Sequence, residues 1–183
     1  MVKGADERKP CSYCGVFRRL CLNSTAKDIG ASLLAVGLNL DDVAQTILMN
    51  FARADIKKLS RLGPHKVVKE GLVPRILPLR VIPEREAFLF CLLKGLDFHH
   101  GECPYANLAH RGLFRDVLGT LETNTPGTRH AFLKSYEAIS DCIIKKEAPQ
   151  SLKTCQNCGE PASAAVCQTC LFLKEIRDQS SRE

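Results

Sequence analysis

Four cysteines near the carboxyl end of the chain form its most specific chemical pattern. Cys155 and Cys158 make one C-x-x-C pair, and Cys167 and Cys170 make a second pair after a short spacer. Four thiolates at this spacing can close a tetrahedron around one Zn²⁺ ion, and they leave no coordination position open. The pattern therefore predicts a structural zinc site in a small ribbon, which folds because the metal supplies the free energy that a small core cannot.

A further C-x-x-C knuckle, formed by Cys11 and Cys14, lies near the amino end and has no matching second pair. A lone pair is compatible with zinc, with a redox dithiol or with part of a cluster. The next candidate ligand is Cys103, and three cysteines without a fourth suit an iron–sulfur cluster with one iron left open. Three other cysteines stand singly in apolar surroundings and are predicted to lie in the core: Cys21, Cys91 and Cys142.

Positive charge is concentrated in one stretch of the chain. The whole sequence has 26 Lys and Arg against 20 Asp and Glu, a net charge of +6. Residues 51–80 alone carry eight Lys and Arg against two Asp and Glu. This stretch, which includes Lys57 and Lys58, is either a solvated loop or an electrostatic footprint for a polyanion such as RNA.

The composition is that of a globular protein. Of 183 residues, 45% are hydrophobic and 25% are charged, which excludes a wholly disordered chain. No apolar run approaches the roughly 20 residues of a membrane-spanning helix, and the first residues lack the apolar stretch of a secretory signal. With ten cysteines and no visible signal, we expect a reducing compartment, no membrane association, and metal or redox roles for the paired thiols.

A change in hydrophobic period marks half of an α/β unit in residues 31–53. Residues 32–36 form a short apolar run that favours a buried strand. Apolar residues then recur at helical spacing, with Asn39 as a cap and with Asp41 and Asp42 in the first turn, where the helix dipole favours anions. Capping alone would explain the two aspartates, and a functional role is compatible with it.

Further helices are predicted along the chain. Proline and glycine make residues 61–83 a loop-rich crossing segment. Pro83 opens a helix that carries an apolar face and ends at Gly95. Helices are also predicted over residues 16–29, 112–122 and 126–145.

In several separate places the chain resembles the tRNA 2-thiouridine synthetases of the ATP-pyrophosphatase superfamily. Residues 11–19 are similar to the family pattern C-x-x-C-G-v-x-R-R, and residues 37–51 are similar to G-H-N-x-D-D-x-A-E-T-x-L-M-N-F. The resemblance continues through residues 102–106, 111–112 and 115–116, and ends in the C-terminal cysteine pairs. It covers roughly residues 10–172 in the family's order.

This resemblance implies sulfur transfer to the wobble uridine of tRNA. In the family, ATP with Mg²⁺ adenylates the uridine C2 oxygen, and sulfur then displaces AMP. The matching catalytic positions would be three cysteines that hold a 4Fe–4S cluster or carry persulfides, and an acidic pair near the nucleotide: Cys11, Cys14, Cys103, Asp41 and Asp42. The basic residues expected to face tRNA are Arg18, Arg19 and Arg53, together with Lys57 and Lys58 from the basic stretch.

The resemblance also implies a fold, a compartment and partners. The expected fold is α/β: an incomplete, adenine-nucleotide-hydrolase-like (Rossmann-like) parallel sheet with surrounding helices, plus a small C-terminal zinc ribbon. The expected domains are residues 1–148, the C-terminal part of a thiolase domain of the ATP-pyrophosphatase type; residues 149–175, the ribbon; and residues 176–183, a polar tail. A ubiquitin-like sulfur carrier and a second thiolation subunit are expected partners, and the expected location is the cytoplasm.

Two departures from the family pattern affect the expected activity. The phosphate-cradling S-G-G-K-D-S segment is not found in the sequence, and Leu38 replaces the family histidine. We therefore expect the chain alone to be inactive with ATP. The alternatives for its origin are a fragment, a truncated gene model, one piece of a split enzyme or a degenerate paralogue. The uncovered edge of the predicted strand would favour self-association. The alternative function is a non-catalytic, zinc-dependent protein that binds tRNA or acts as a scaffold.

Overall fold

A computed structural model describes residues 9–62, 70–99, 101, 103–109, 111–147 and 152–181. In chain order its helices are α1 (Lys9–Asp28), α2 (Leu40–Ala52), α3 (Ile56–Leu59), α4 (Glu84–Lys94), α5 (Arg111–Asn124), α6 (Thr128–Lys146) and α7 (Gln168–Ser180). Its short strands are β1 (Leu34–Ala35), β2 (Arg75–Ile76), β3 (Lys153–Thr154) and β4 (Pro161–Ala162). The predicted boundary between thiolase domain and ribbon, at 148–149, lies outside the described residues, and the predicted domain division stays a prediction.

Helix α1 begins earlier than the sequence predicts. The prediction places a knuckle at Cys11 and Cys14 and starts the helix at Val16, whereas α1 already begins at Lys9. Pro10 favours the earlier start. Proline has no backbone N–H to donate, and N–H groups in the first turn of a helix have no helical partner in any case. Both thiols are therefore carried by a helix, at positions i and i+3, which share one face.

Strands β1 and β2 form a small parallel sheet. The Leu34 amide donates to the Pro74 carbonyl at 2.8 Å, and the Val36 amide donates to the Ile76 carbonyl at 3.0 Å. Both bonds advance in the same direction along the two strands, as parallel pairing requires. The predicted strand within residues 32–36 is thus present but short, and the chain is α/β and rich in helix.

The α/β unit ends in the predicted capped helix. In the capping box of α2, Oδ1 of Asn39 accepts the Asp42 amide at 2.9 Å, and Oδ2 of Asp42 accepts the Asn39 amide at 3.4 Å. Two backbone donors at the helix start are satisfied in this way, which fixes where the helix begins. Asp41 and Asp42 are consequently held in the first turn of α2.

The chain divides into two compact units, each built from separate stretches of sequence. The first unit comprises residues 1–34, 65–75 and 149–183. In its described part, α1 packs against α7, and β3 pairs with β4 in an antiparallel hairpin. Helix α7 continues to Ser180, into the stretch predicted as a polar tail.

The second unit comprises residues 35–64 and 76–148 and contains the main hydrophobic cluster. Helix α2 packs against α5 and α6, and the short α3 contacts α2 and α6. The Tyr136 hydroxyl donates to the buried Leu59 carbonyl at 2.7 Å, which ties α6 to α3. The buried members of the cluster are Leu40, Val43, Ile47, Leu59, Leu133 and Tyr136.

Helix α4 presents an apolar face to solvent. It follows Pro83 and ends at Gly95, which has a positive φ of 62°, as the sequence predicts. Its large apolar side chains are nevertheless exposed, from 47% for Phe88 to 78% for Leu93. This helix therefore adds little to the core of its own unit.

Candidate functional site

The four C-terminal cysteines are brought together by a hairpin and a helix start. Cys155 directly follows β3, and Cys158 lies in the turn after it. Gly159 permits this turn because its φ of 76° is strained for other residues. Cys167 is the N-cap of α7, and Cys170 lies in the first turn of that helix. Each of the two elements thus presents two thiols to one point, as predicted.

The four sulfur atoms are closely spaced. The Sγ atoms of Cys155 and Cys170 lie 3.9 Å apart, those of Cys158 and Cys167 lie 3.6 Å apart, and all four lie within 4.8 Å of one another. The Cys167 amide donates to the Cys155 sulfur at 3.2 Å, and the Cys170 amide donates to the Cys167 sulfur at 3.4 Å. Amide donors favour the thiolate form, which is the form that binds metal.

Contacts within this group shift the pKa values of two of its thiols in opposite directions. The amide of Cys167 is the main cause that lowers the pKa of Cys155 to about 6. Contact with the thiols of Cys158 and Cys167 raises the pKa of Cys170 to about 12. The Cys155 thiol therefore ionises readily, whereas the sulfur atoms around Cys170 oppose the ionisation of that second thiol. A divalent cation relieves that opposition, so the donor set fits a metal ion.

The hairpin of the ribbon packs against the rest of the first unit at two points. Lys27 of α1 forms an ion pair with Glu160 at 3.1 Å. Gly71, which has a φ of 78°, lies so close to Pro161 that an added Cβ would come within 2.5 Å of the proline Cγ. Only glycine fits there without displacing the hairpin.

We expect Gly71→Ala to destabilise the first unit by about 2 kcal/mol, because it adds left-handed backbone strain to a clash with the Pro161 ring. Gly30→Ala is the matched control, since Gly30 has a φ of 66° and open space around it, so that only the strain remains. Urea unfolding curves of both variants measure the difference. Equal destabilisation by the two would mean that the contact with Pro161 contributes nothing.

The three cysteines of the predicted cluster are all exposed. Cys11 and Cys14 lie on α1 in the first unit, and Cys103 precedes the short 3₁₀ helix Ala106–Leu108 in the second unit. Their joint role as cluster ligands stays a prediction. The prediction that all three single cysteines are buried is wrong: Cys21 and Cys142 are exposed and Cys91 is half-buried.

An aromatic contact connects the thiol-bearing turn of α1 to the ribbon helix. Tyr13, between the two thiols, packs against Phe172 of α7 with ring centroids 4.2 Å apart. Phe17 lies one turn further along α1, with its centroid 6.5 Å from that of Tyr13. Tilted ring pairs at such distances are favourable beyond the area that they bury. Helix α7, which begins at the four-thiol group (Cys155, Cys158, Cys167 and Cys170), therefore also supports the turn of α1 that carries Cys11 and Cys14.

The Asp41 carboxylate is buried and fully engaged. The residue is 8% exposed. Its Oδ2 accepts the Glu84 amide at 2.7 Å, and its Oδ1 lies 3.0 Å from Nε of Arg129. The first contact caps α4, because Pro83 at the N-cap has no side-chain acceptor of its own. Asp41 thus fastens α4 and α6 to the start of α2.

The Asp42 carboxylate, beside it, binds a second arginine. Nη1 of Arg111 lies 3.0 Å from Oδ1 of Asp42, and Nη2 donates to Oγ1 of Thr46 at 3.1 Å. The sequence predicts the aspartate pair and its capping but not these two arginine partners. Arg111 falls within a family motif, which indicates that it has a role, whereas nothing local in the sequence points to Arg129.

The predicted RNA-facing residues lie on exposed surfaces of both units. In the second unit, Arg53 ends α2 with its guanidinium 6.0 Å from the Phe114 ring centroid. Lys57 and Lys58 lie on α3, and Lys58 is paired with Asp55 at 2.6 Å. In the first unit, Arg18 and Arg19 lie on α1. Two further lysines of the basic stretch, at positions 66 and 69, fall outside the described residues.

No helix in the described part of the chain is both long and apolar enough to cross a membrane.

No protein-family model matches the chain. Curated relatives do match. The chain is 37% identical over 184 residues to the tRNA 2-thiolation protein NcsA of Haloferax volcanii, with 95% of the chain and 57% of the relative covered. It is also 37% identical over 177 residues to the cytoplasmic tRNA 2-thiolation protein 1 of Caenorhabditis elegans, with 96% and 47% covered. The chain thus spans about half the length of the curated relatives it matches.

A solved structure supports the same relationship. The U34-tRNA thiolase NcsA from Methanococcus maripaludis, solved with its 4Fe–4S cluster, superposes with a TM-score of 0.74 at 36% sequence identity. The superposition covers 91% of this chain and 53% of the thiolase. The α/β arrangement described above therefore corresponds to part of the fold of that solved structure.

Proposed function

Because the chain belongs to the family of tRNA 2-thiolation proteins, we propose that it supplies the metal-binding and RNA-facing part of an enzyme that thiolates the wobble uridine of tRNA. The observation that carries this proposal is the match of nearly the whole chain to thiolases, with the C-x-x-C pair of α1, the aspartate pair of α2 and Cys103 all present. The proposed division into domains is the predicted one: thiolase part to residue 148, ribbon from 149 and tail from 176. The proposed location is the cytoplasm, as in the names of the eukaryotic relatives.

The four-thiol group of the ribbon is proposed to hold one Zn²⁺ ion. Zn–S bonds of about 2.3 Å in a tetrahedron place sulfur atoms about 3.8 Å apart. The separations of 3.6 and 3.9 Å agree with this value. In a four-iron cluster each thiolate binds a different iron, which requires wider spacing. A single structural ion is therefore favoured at this position.

The sulfur chemistry is proposed for the other cysteine set, Cys11, Cys14 and Cys103. These are exposed thiols, and three of them fit a 4Fe–4S cluster that leaves one iron open. Such a cluster would hold sulfur for transfer to the tRNA. The chain's own contribution is orientation: α1 sets Cys11 and Cys14 on one face, and Tyr13 against Phe172 supports that turn. ATP and Mg²⁺ are proposed to bind only in the complete enzyme, near Asp41 and Asp42.

The proposed partners follow from charge and exposed surface. Arg18, Arg19, Arg53, Lys57 and Lys58 are exposed cations suited to the tRNA backbone. The exposed apolar face of α4 is suited to self-association or to a second thiolation subunit. A ubiquitin-like sulfur carrier is proposed as the sulfur source.

One observation favours the alternative, a non-catalytic protein that binds tRNA or acts as a scaffold. The Asp41 carboxylate is occupied by Arg129 and by the start of α4, and the Asp42 carboxylate is occupied by Arg111. Groups bound in this way act as structural ties and need no catalytic role. Leu38 in place of the family histidine points in the same direction.

Reconstitution distinguishes the two functions. The chain, purified without oxygen, is combined with the part of the Haloferax volcanii relative that it does not match, and then with ATP, sulfide and tRNA. We expect 2-thiouridine, measured by mass spectrometry, and iron with sulfide in the purified chain. Cys103→Ser should abolish the product, whereas Cys21→Ser, which changes another exposed thiol, should retain it. Colourless protein that holds zinc alone and forms no product would establish the alternative.

A further inference from the structure

Three arginines of the second unit are neutralised by carboxylates, whereas three arginines on one surface of the first unit are not. In the second unit Arg80, Arg111 and Arg129 each lie within 3.0 Å of an Asp or Glu oxygen. Arg18, Arg19 and Arg75 of the first unit form no ion pair with any described residue. A group of cations without an acidic partner has its charge available for an external anion.

Arg19 is directed along α1 by the glycine that follows the C-x-x-C pair. Its guanidinium lies over Gly15, so that a Cβ added there would come within 3.3 Å of Nη1. Side chains on a helix lean towards its N-terminus, and Gly15, four residues earlier, leaves room for the guanidinium. Arg19 is therefore held close to the helix surface, beside the segment that carries Cys14.

Arg75 is brought to the same surface by Asn23. One turn after Arg19, the Asn23 side chain donates to the Gly71 carbonyl at 3.3 Å and accepts the Val73 amide at 2.9 Å. These two bonds hold the backbone of residues 71–73 against α1, and Arg75 follows two residues later. The two arginines are close enough for their charges to interact: partial desolvation, followed by repulsion from Arg75 and Arg18, lowers the pKa of Arg19 below its usual value.

We propose that Arg18, Arg19 and Arg75 form a phosphate-binding surface for the backbone of the tRNA, and that Asn23 is the residue that positions Arg75 within it. This inference rests on the proposed function, and it adds Arg75 and Asn23 to the RNA-facing residues. The shared chemistry is the phosphate group, which tRNA and ATP both carry. The exposed placement of all three arginines favours an extended polyanion, because a nucleotide site requires a concave pocket and a cradle of backbone N–H groups.

The test measures the affinity of the full chain for tRNA by fluorescence anisotropy over a series of salt concentrations. Arg75→Gln should lower the affinity roughly fivefold and reduce the slope of log K against log salt by about 0.7–0.9, the effect of one lost phosphate contact. Arg75→Lys should restore the slope. Asn23→Ala, which changes no charge, should lower the affinity in the same direction. Arg177→Gln is the matched control. Arg177 is an exposed arginine on α7, and this variant should bind tRNA with the same affinity as the unaltered chain.

Each other outcome overturns the inference in a distinct way. An unchanged slope in Arg75→Gln would show that no phosphate is bound there. An equal loss in Arg177→Gln would show that only net charge matters. If Arg75→Gln lost binding of labelled ATP but not of tRNA, the surface would serve a nucleotide. Failure of the unaltered chain to bind tRNA would overturn the proposed function itself, and this inference with it. Equal zinc content and circular dichroism establish that the variants are folded.

Discussion

Cys158→Ser is expected to release zinc from the ribbon and to unfold the β3–β4 hairpin together with the first turn of α7. A serine hydroxyl is a poor zinc ligand, and three thiolates do not close the site. Structural zinc contributes roughly 10–16 kcal/mol of apparent binding free energy in small ribbons, and this segment has almost no core of its own. Among its described residues, only Cys155, Ala162 and Thr169 are buried.

Zinc content by atomic absorption and limited proteolysis measure this effect. Cys142→Ser is the matched control, because Cys142 is an exposed thiol on α6 and its loss should leave one zinc per chain. Protease should cut the Cys158→Ser chain between residues 152 and 181 and leave the control intact there. One zinc per chain retained in Cys158→Ser would overturn the assignment of the four ligands.

Asp41→Ala is expected to destabilise the second unit by about 3 kcal/mol. The substitution removes the acceptor of the Glu84 amide and leaves Arg129, whose side chain is 26% exposed, without its carboxylate. Loss of one partner from a largely buried ion pair costs more than the pair itself contributes, because the remaining charge stays desolvated. Helix α4 loses its N-terminal cap in the same step.

Chemical unfolding of three variants separates these contributions. Asp41→Asn keeps an acceptor for the Glu84 amide but loses the charge, so it should cost less than Asp41→Ala. Asp42→Ala removes a more exposed carboxylate, 34% exposed in its side chain, and should cost about 1 kcal/mol. If Asp41→Ala were as stable as Asp42→Ala, the tie between α2, α4 and α6 would be energetically unimportant.

Features set by neighbouring residues could be predicted from the sequence. The start of α2 follows from Asn39 and Asp42, which are three residues apart and satisfy each other's backbone groups. The four-thiol group follows from two C-x-x-C pairs joined by a short spacer, which cannot lie far apart. The end of α4 follows from Gly95, because glycine alone adopts its positive φ without strain.

Features set by distant residues could not be predicted in this way. The contact of Asp41 with Arg129 joins two helices far apart in sequence, and a single sequence contains no signal of that pairing. The sequence does not predict the start of α1 at Lys9, because the C-x-x-C motif favours a knuckle over a helix. The apolar face of α4 predicts a buried side of the helix. In the structure that face is exposed, and none of the described residues covers it.

The contact of Tyr13 with Phe172 has a thermodynamic consequence for the four C-terminal thiols and for the Cys11–Cys14 pair, which lie in the first unit. One end of α7 is fixed by the four-thiol group, and Phe172 of the same helix packs against the turn that carries Cys11 and Cys14. If an ion in the ribbon changes the affinity of that turn for its own ligand by some factor, linkage requires that ligand to change the ion's affinity by the same factor. The measured zinc affinity of the chain would then report whether the Cys11–Cys14 turn of α1 has bound its ligand, without any assay of tRNA.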